Sequence, residues 1–339
     1  MTKSIIPKVV FSWDKGVVLF LVLSIFIGSY ASEYFATASN LSFVIASIAE
    51  IAIIAIAMAY LIISGEIDLS VASIMALTSA SIGYAFQEGV PFEIAVVLGL
   101  LVGLLAGLFN GVLVTIFGLP SLAVTIATLA LFRGLCWVIL ENKPVNQLPR
   151  EWIDLGNKNI PGTFFPWATI LVVLFAGIAW FVLHHTKLGR WVFAIGTNPV
   201  ASRFSGIPVN RVKLGLFVFT GFMSAVAGVI YTLRFASASP DGGAGYELSV
   251  IAAVLFGGVA IAGGVGTMWG VLAAVLSLGV IKSGLQLAGF SANALLVVSG
   301  GLLLISVILP RVTEFVRIQR SKASTIKRTQ QKEKERVQK

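Results

Sequence analysis

The chain has 339 residues, a formal net charge of +9 and a single cysteine. It is 57% hydrophobic and 12% charged, with a mean hydropathy of +0.95, and a soluble protein of that length cannot hide so much apolar surface, because a folded chain always leaves a large share of its residues facing water. The composition therefore indicates an integral membrane protein. It excludes a disordered polypeptide, a collagen and a disulfide scaffold, since Cys136 has no second thiol in the chain. A nucleic-acid-binding domain is excluded too: ten of the 24 Lys and Arg residues follow Pro310, so the basicity belongs to a tail, for which RNA is the lesser alternative to a membrane surface.

Stretches of about 20 apolar residues, enough to cross a hydrocarbon core roughly 30 Å thick, recur ten times. They run 16–34, 42–63, 69–86, 93–117, 121–140, 166–184, 212–234, 248–262, 267–285 and 291–309, which predicts an all-α integral membrane protein with about ten transmembrane helices. The first stretch also fits a cleaved leader ending at Ala36-Thr37-Ala38, although its apolar run continues to Tyr30. The fourth carries Gly99, Gly103, Gly107 and Gly111 on one helical face, a stripe that lets a neighbouring backbone come close. The eighth is short and ends in glycine, as a half-helix or a tilted span does. Residues 1–310 thus form a polytopic transmembrane domain, and 311–339 a basic tail, expected to be disordered and to lie against anionic headgroups.

Lys3, Lys8 and Lys15 precede the first span and five basic residues lie in 185–213, on the same side as the tail, whereas the loops of the other side hold Lys143, Arg150 and Lys158. This bias predicts that both termini are cytoplasmic. The outer loop 141–165 is polar and suits a soluble partner. The inner loop 185–213 has no acidic residue and contains a short helix written in cap chemistry. Thr197 or Asn198 can accept from free backbone N–H groups, Pro199 suits the first helical position, and Gly206 can take the left-handed conformation that ends the helix. Asn198, Pro199, Val200, Ala201, Ser202, Arg203, Phe204, Ser205 and Gly206 make up the unit. Too short to persist in water, it needs a surface: another protein, or the membrane interface with arginines as anchors.

These residues resemble a known family. Gly189-Arg190, Ala194-Ile195-Gly196-x-Asn198 and Ala201-x-Arg203-x-Ser205-Gly206-Ile207-x-Val209-x-Arg211-Val212-Lys213 look like the cytoplasmic loop of the ribose, xylose and rhamnose branch of ATP-binding-cassette importer permeases. Ser64-Gly65-Glu66-Ile67-Asp68-Leu69-Ser70-Val71 resembles that family's Gly-Gly-Ile-Asp-Leu-Ser-Val-Gly signature, with Glu66 where the family usually has glycine and Ala72 in place of the glycine after the valine. Gly245-Tyr246-Glu247-Leu248, Ala252-Ala253-Val254, Gly257-Gly258 and Gly263-Gly264-x-Gly266-Thr267 look like its third block.

The resemblance implies a type II importer fold of the vitamin-B12-permease kind in a bacterial inner membrane. It implies a monosaccharide such as ribose or rhamnose, or autoinducer-2, as solute. It also implies that this chain binds no cofactor: ATP and Mg are held by partner ATPase subunits, a periplasmic solute-binding protein delivers the solute, and a second permease subunit, identical or related, completes the pore. The helix at 199–205 would then be the ATPase-coupling helix. The chain's own residues agree, for no G-x-x-x-x-G-K phosphate loop occurs in it. An inverted repeat of helices two to five and seven to ten is compatible with the order of spans, Gly118-Leu119-Pro120-Ser121 before the fifth resembling Gly289-Phe290-Ser291-Ala292 before the tenth.

Charges inside a bilayer are costly and normally face the bundle interior or water. Glu50 in the second span and Arg133 in the fifth are such charges, expected to lie on the solute route or to pair with one another as a clamp. Thr125, Thr128 and Phe132 share a face of the fifth span and are candidates to line the same route, against the alternative that each threonine bonds a carbonyl of its own helix. Gly65, Asp68 and Ser70 mark the signature turn, with an N-cap role expected for Asp68 and Ser70 ahead of a gating contact. A rival reading is an ion-coupled secondary transporter in which Glu50 titrates.

Overall fold

The computed structural model describes residues 13–141 and 143–290, with isolated positions between 297 and 308. Apart from those positions, the expected tenth span lies outside the described residues, as do the basic tail, Lys3 and Lys8. Among those described the chain is helical: α1 (Trp13–Ala31), α2 (Ala38–Ile63), α3 (Val71–Gln87), α4 (Phe92–Thr115), α5 (Ser121–Leu140), α6 (Arg150–Asn157), α7 (Ala168–His185), α8 (Lys187–Thr197), α9 (Pro199–Phe204), α10 (Val209–Phe235), α11 (Tyr246–Phe256) and α12 (Met268–Leu287).

Six of these, α2, α4, α5, α7, α10 and α12, are long and apolar enough to cross a membrane, which makes the chain a multi-pass membrane protein; of the ten spans expected, α1, α3 and α11 are shorter apolar helices among the described residues. The shortfall has local causes. Residues 64–70 are spent on a turn, so α3 begins late. Gly245, at φ +86°, and Gly257 bound α11 to 11 residues, or about 16 Å at 1.5 Å per residue, half of a hydrocarbon core.

α2 is the axis of the bundle. From Ala52 to Ile63 it is buried on every side, as a helix apolar all round must be. α10 packs against it and against α3 and α4. The glycine stripe of α4 meets α10: a Cβ on Gly107 would lie 2.5 Å from the Phe217 carbonyl oxygen, and one on Gly221 2.4 Å from that of Gly103. Only bare backbone fits there. Without a hydrophobic drive between helices in lipid, such contact is what holds them. Elsewhere α1, α4, α5 and α7 turn large apolar side chains outward, Phe26, Leu105, Val138 and Val173 among them.

The bundle has two poles. At one lie α8, α9, the turn after α2, and the start of α10. At the other, the 141–165 segment meets the 236–245 segment through a bridge between Val145 and Ala238, and α6 is tied to the end of α10 by the bond from Asn157 Nδ2 to the Leu233 carbonyl (3.0 Å).

Candidate functional site

At the first pole, α9 is made by its cap. Asn198 Oδ1 accepts from the N–H groups of Val200 (3.0 Å) and Ala201 (2.9 Å), Pro199 occupies the first turn, and Gly206, at φ +80°, reverses the chain after Ser205. Thr197, the other cap expected, instead donates its hydroxyl to the Phe193 carbonyl. Ser202 points inward while Val200 and Phe204 are 60% and 90% exposed, so six residues carry an aromatic ring outward with nothing over it.

α9 is fastened to the membrane helices from both sides. Arg203 Nη2 donates to Asn210 Oδ1 (2.9 Å), and Asn210 Nδ2 donates to the Thr115 carbonyl at the end of α4 (2.9 Å). On the other side the amphipathic α8, capped by Thr186, buries Gly189, Val192 and Ile195. A Cβ on Gly196 would overlap the Ile63 carbonyl oxygen at 1.8 Å, and Gly264 N–H donates to that same oxygen (2.8 Å). The ends of α2, of α8 and of the Gly263-Gly264 turn therefore touch backbone to backbone.

The signature turn sits beside them. Gly65 adopts φ +85°. Glu66, the departure from the family pattern, pairs with Lys213 of α10. The N-cap expectation needs correction. Ser70 occupies the cap position of α3 but its side chain caps nothing, because its hydroxyl donates to Asp68 Oδ1 (2.6 Å) and accepts from Asn110 Nδ2 (2.8 Å). Asp68 Oδ1 takes the Ser70 N–H instead (2.8 Å).

Thr125, Thr128 and Phe132 do share a face, but the helix turns it inward, α5 packing on α3, and all three are buried in this chain. Thr125 Oγ1 reaches out of its helix to the Ile67 carbonyl (3.4 Å), which ties α5 to the signature turn; Thr128 points back to Thr125 (3.5 Å).

Toward the second pole the expected pairing of Glu50 with Arg133 does not form. α2 lies against α10, whereas α5 packs on α3 and α4. Glu50 Oε1 accepts from Arg234 Nε of α10 (2.7 Å). Arg133 Nη1 donates to the carbonyls of Pro240 (2.8 Å) and Gly242 (2.9 Å) and clamps the 236–245 segment onto α5. Glu50 is wholly buried, and its Oε2 has no partner among the described residues. Tyr246 and Tyr231 stand beside Arg234, their rings edge to face. A carboxylate, a guanidinium and two phenols thus meet between α2, α10 and α11, a polar cluster within an otherwise apolar bundle. Sequence reasoning missed Arg234. A signal was present, for it lies in an apolar segment without an acidic residue. Further out, Gln87, Lys143, Asn146 and Gln147 line a polar crevice of about 500 Å³.

Comparison with known proteins finds relatives over most of the chain. The profile of the family described as "Branched-chain amino acid transport system / permease component" matches residues 40–307. The ribose import permease protein of Bacillus subtilis (strain 168) is 38% identical over 299 residues, 87% of this chain and 92% of that protein. The one of Escherichia coli (strain K12) is 34% identical over 302 residues, with the same coverage. The autoinducer 2 import system permease protein of Escherichia coli O9:H4 (strain HS) is 33% identical over 307 residues, 89% of this chain and 92% of that protein. No solved structure matches. With the match spanning the bundle from α2 to the far side of α12, the chain belongs to this family of transport-system permease components.

Proposed function

We propose that the chain is the permease subunit of an ATP-binding-cassette importer in a bacterial inner membrane, carrying a monosaccharide such as ribose or rhamnose, or autoinducer-2. The observation that carries this reading is α9: a capped six-residue helix that presents Phe204 and Val200 to solvent while its supports reach the ends of α2, α4 and α10. Such a helix has no stability of its own; its exposed ring suits a groove on a separate ATPase subunit, which holds ATP and Mg. The α9 pole is then cytoplasmic, as are both termini, and the second pole, with its polar crevice and the 141–165 and 236–245 segments, receives a periplasmic solute-binding protein.

Closure of two ATPase subunits displaces α9. Asn210, the Gly196–Ile63–Gly264 contact and the Glu66–Lys213 pair pass the displacement to α4, α2 and α10. The same helices hold Glu50 and Arg234, so access to the solute changes from one pole to the other. A second permease subunit, identical or related, faces this one, and the fold is of the type II importer kind with an inverted repeat of helices. Asp68, Ser70 and Gly65 hold the turn about which α2 and α3 move, while Thr125, Thr128 and Phe132 keep α5 in register with it, a backing rather than a lining for the route. An ion-coupled transporter would need Glu50 free to take up and release a proton or cation; Arg234 already occupies it, which favours the ATP-driven reading.

Vesicles reconstituted with permease, ATPase and binding protein test this. Uptake is expected to require ATP and to stop when the ATPase is omitted. The one native thiol, Cys136, is buried, so a Phe204→Cys variant offers a single accessible thiol that should crosslink to the ATPase. Uptake that persists without the ATPase and collapses with a protonophore overturns the proposal in favour of ion coupling.

A further inference from the structure

Between α2, α7, α8 and α10 lies a groove of about 510 Å³ that is lined almost wholly by apolar side chains, among them Phe175, Leu188, Trp191 and Phe219. Tyr60 also borders it, but its hydroxyl is spent on the Ala179 carbonyl. Arg211 is the one charged residue of the lining. It is exposed and forms no ion pair among the described residues, whereas Lys213 two residues on is neutralised by Glu66. A second groove, of about 400 Å³ between α1, α2, α7 and α12, has no charged residue in its lining. The two differ in the feature that selects an occupant.

We propose that the first groove binds one phospholipid with an anionic headgroup, its acyl chain among Phe175, Leu188 and Phe219 and its phosphate on Arg211. The complementarity is one of charge and shape together: an apolar slot ending in a single cation, at the pole where residues 185–213 carry five basic residues and no acidic one, fits an amphiphile with one negative end. Trp191 at the slot supplies the amphipathic ring that favours headgroup depth. The lipid touches Leu188 and Trp191 on α8 and Pro208 and Arg211 at the start of α10, the two elements that flank α9. Its occupancy fixes the spacing of the two supports of α9 and so tunes how far that helix can be displaced.

The full chain, purified in non-ionic detergent and examined by native mass spectrometry with phosphatidylglycerol and phosphatidylcholine of identical acyl chains, tests this. The wild type is expected to retain phosphatidylglycerol over phosphatidylcholine by about fivefold, the ratio one cation supplies near an anionic surface. Arg211→Gln, at an exposed position that leaves folding intact, should bring the ratio to about one while retention of chains persists. Gly215→Leu, whose side chain would grow into space with no atom within 4 Å of its Cβ, should expel both lipids. Arg190→Gln is the control and should change neither. Equal retention of the two lipids by the wild type, selectivity that survives Arg211→Gln, or an equal fall in Arg190→Gln overturns the proposal. So does a Gly215→Leu protein that keeps its lipid, or one whose dimer dissociates, which would assign the groove to a second copy of the chain.

Discussion

Glu50 and Glu66 each hold a cation of α10, and the two pairs fasten the same helix to α2 toward opposite poles. The Glu50 carboxylate is 0% exposed and Arg234 16%; Glu66 and Lys213 are 14% and 16%. The first carboxylate projects from the middle of a helix into the interior, where Arg234 hydrogen-bonds it and Lys282 of α12 adds a second positive charge nearby. The second projects from a turn at the rim, where water can stand in for its partner. A helix pair fixed by one unexchangeable and one exchangeable tie can pivot about the first while the second lets go, and only the second lies beside α9.

The buried tie should respond most strongly to loss of Arg234. Arg234→Gln strands the Glu50 charge in the interior, and removing one partner of a buried pair costs about 3–5 kcal/mol. The melting temperature of the purified protein should fall by several degrees, with uptake lost. The double variant Glu50→Gln/Arg234→Gln should recover most of the stability, because neither member of the pair is then left charged without the other. A double variant as unstable as the single one would mean that Arg234 holds the fold by packing, not by pairing.

α10, which carries both cations, is also held against α4 by close backbone contact. Gly107→Ala forces a methyl group toward the Phe217 carbonyl, 2.5 Å away, and backbone on both sides cannot yield. Overpacking of this kind costs about 1–3 kcal/mol. Thermal melting should show a loss smaller than that of Arg234→Gln, and Gly134→Ala, with open space around it, should show none.

Much of this was legible in the sequence because it is local. Apolar runs of fixed length marked the spans, and Asn198, Pro199 and Gly206 wrote the start and stop of α9 within nine residues. α8 was not marked as a helix, since its buried set, Gly189, Val192 and Ile195, contains a glycine that belongs there only because Leu183 and the helix behind it come so close. The partner of Glu50 was illegible for the same reason. Arg234 is 184 residues away, and which of two arginines meets the carboxylate depends on α10, not α5, packing against α2, a fact no window of sequence contains. Nor did the pattern reveal that the face of α5 bearing Thr125 and Thr128 turns toward α3 and not outward, since the helix has small or hydroxylated residues on more than one side.

The finest distinction concerns Glu66. At the rim, where both members keep some exposure, the pair should contribute less than the roughly 3–5 kcal/mol lost on breaking a fully buried one, so Glu66→Gln should lower the melting temperature by less than Arg234→Gln does. Its effect on transport should be larger than its effect on stability: residues that couple two sites change the coupling by about 0.5–2 kcal/mol, a severalfold rise in ATP hydrolysed per solute imported by reconstituted vesicles. Because the family usually has glycine at this position, Glu66→Gly separates charge from backbone. Gly65 already supplies the left-handed residue of the turn, so a second glycine adds no conformation that the turn needs. Glu66→Gly should therefore uncouple as Glu66→Gln does, with Lys213 left unpaired in both. A glycine variant that transports as efficiently as the wild type, beside a glutamine variant that does not, would show that the turn tolerates a small residue and that the Lys213 tie is dispensable.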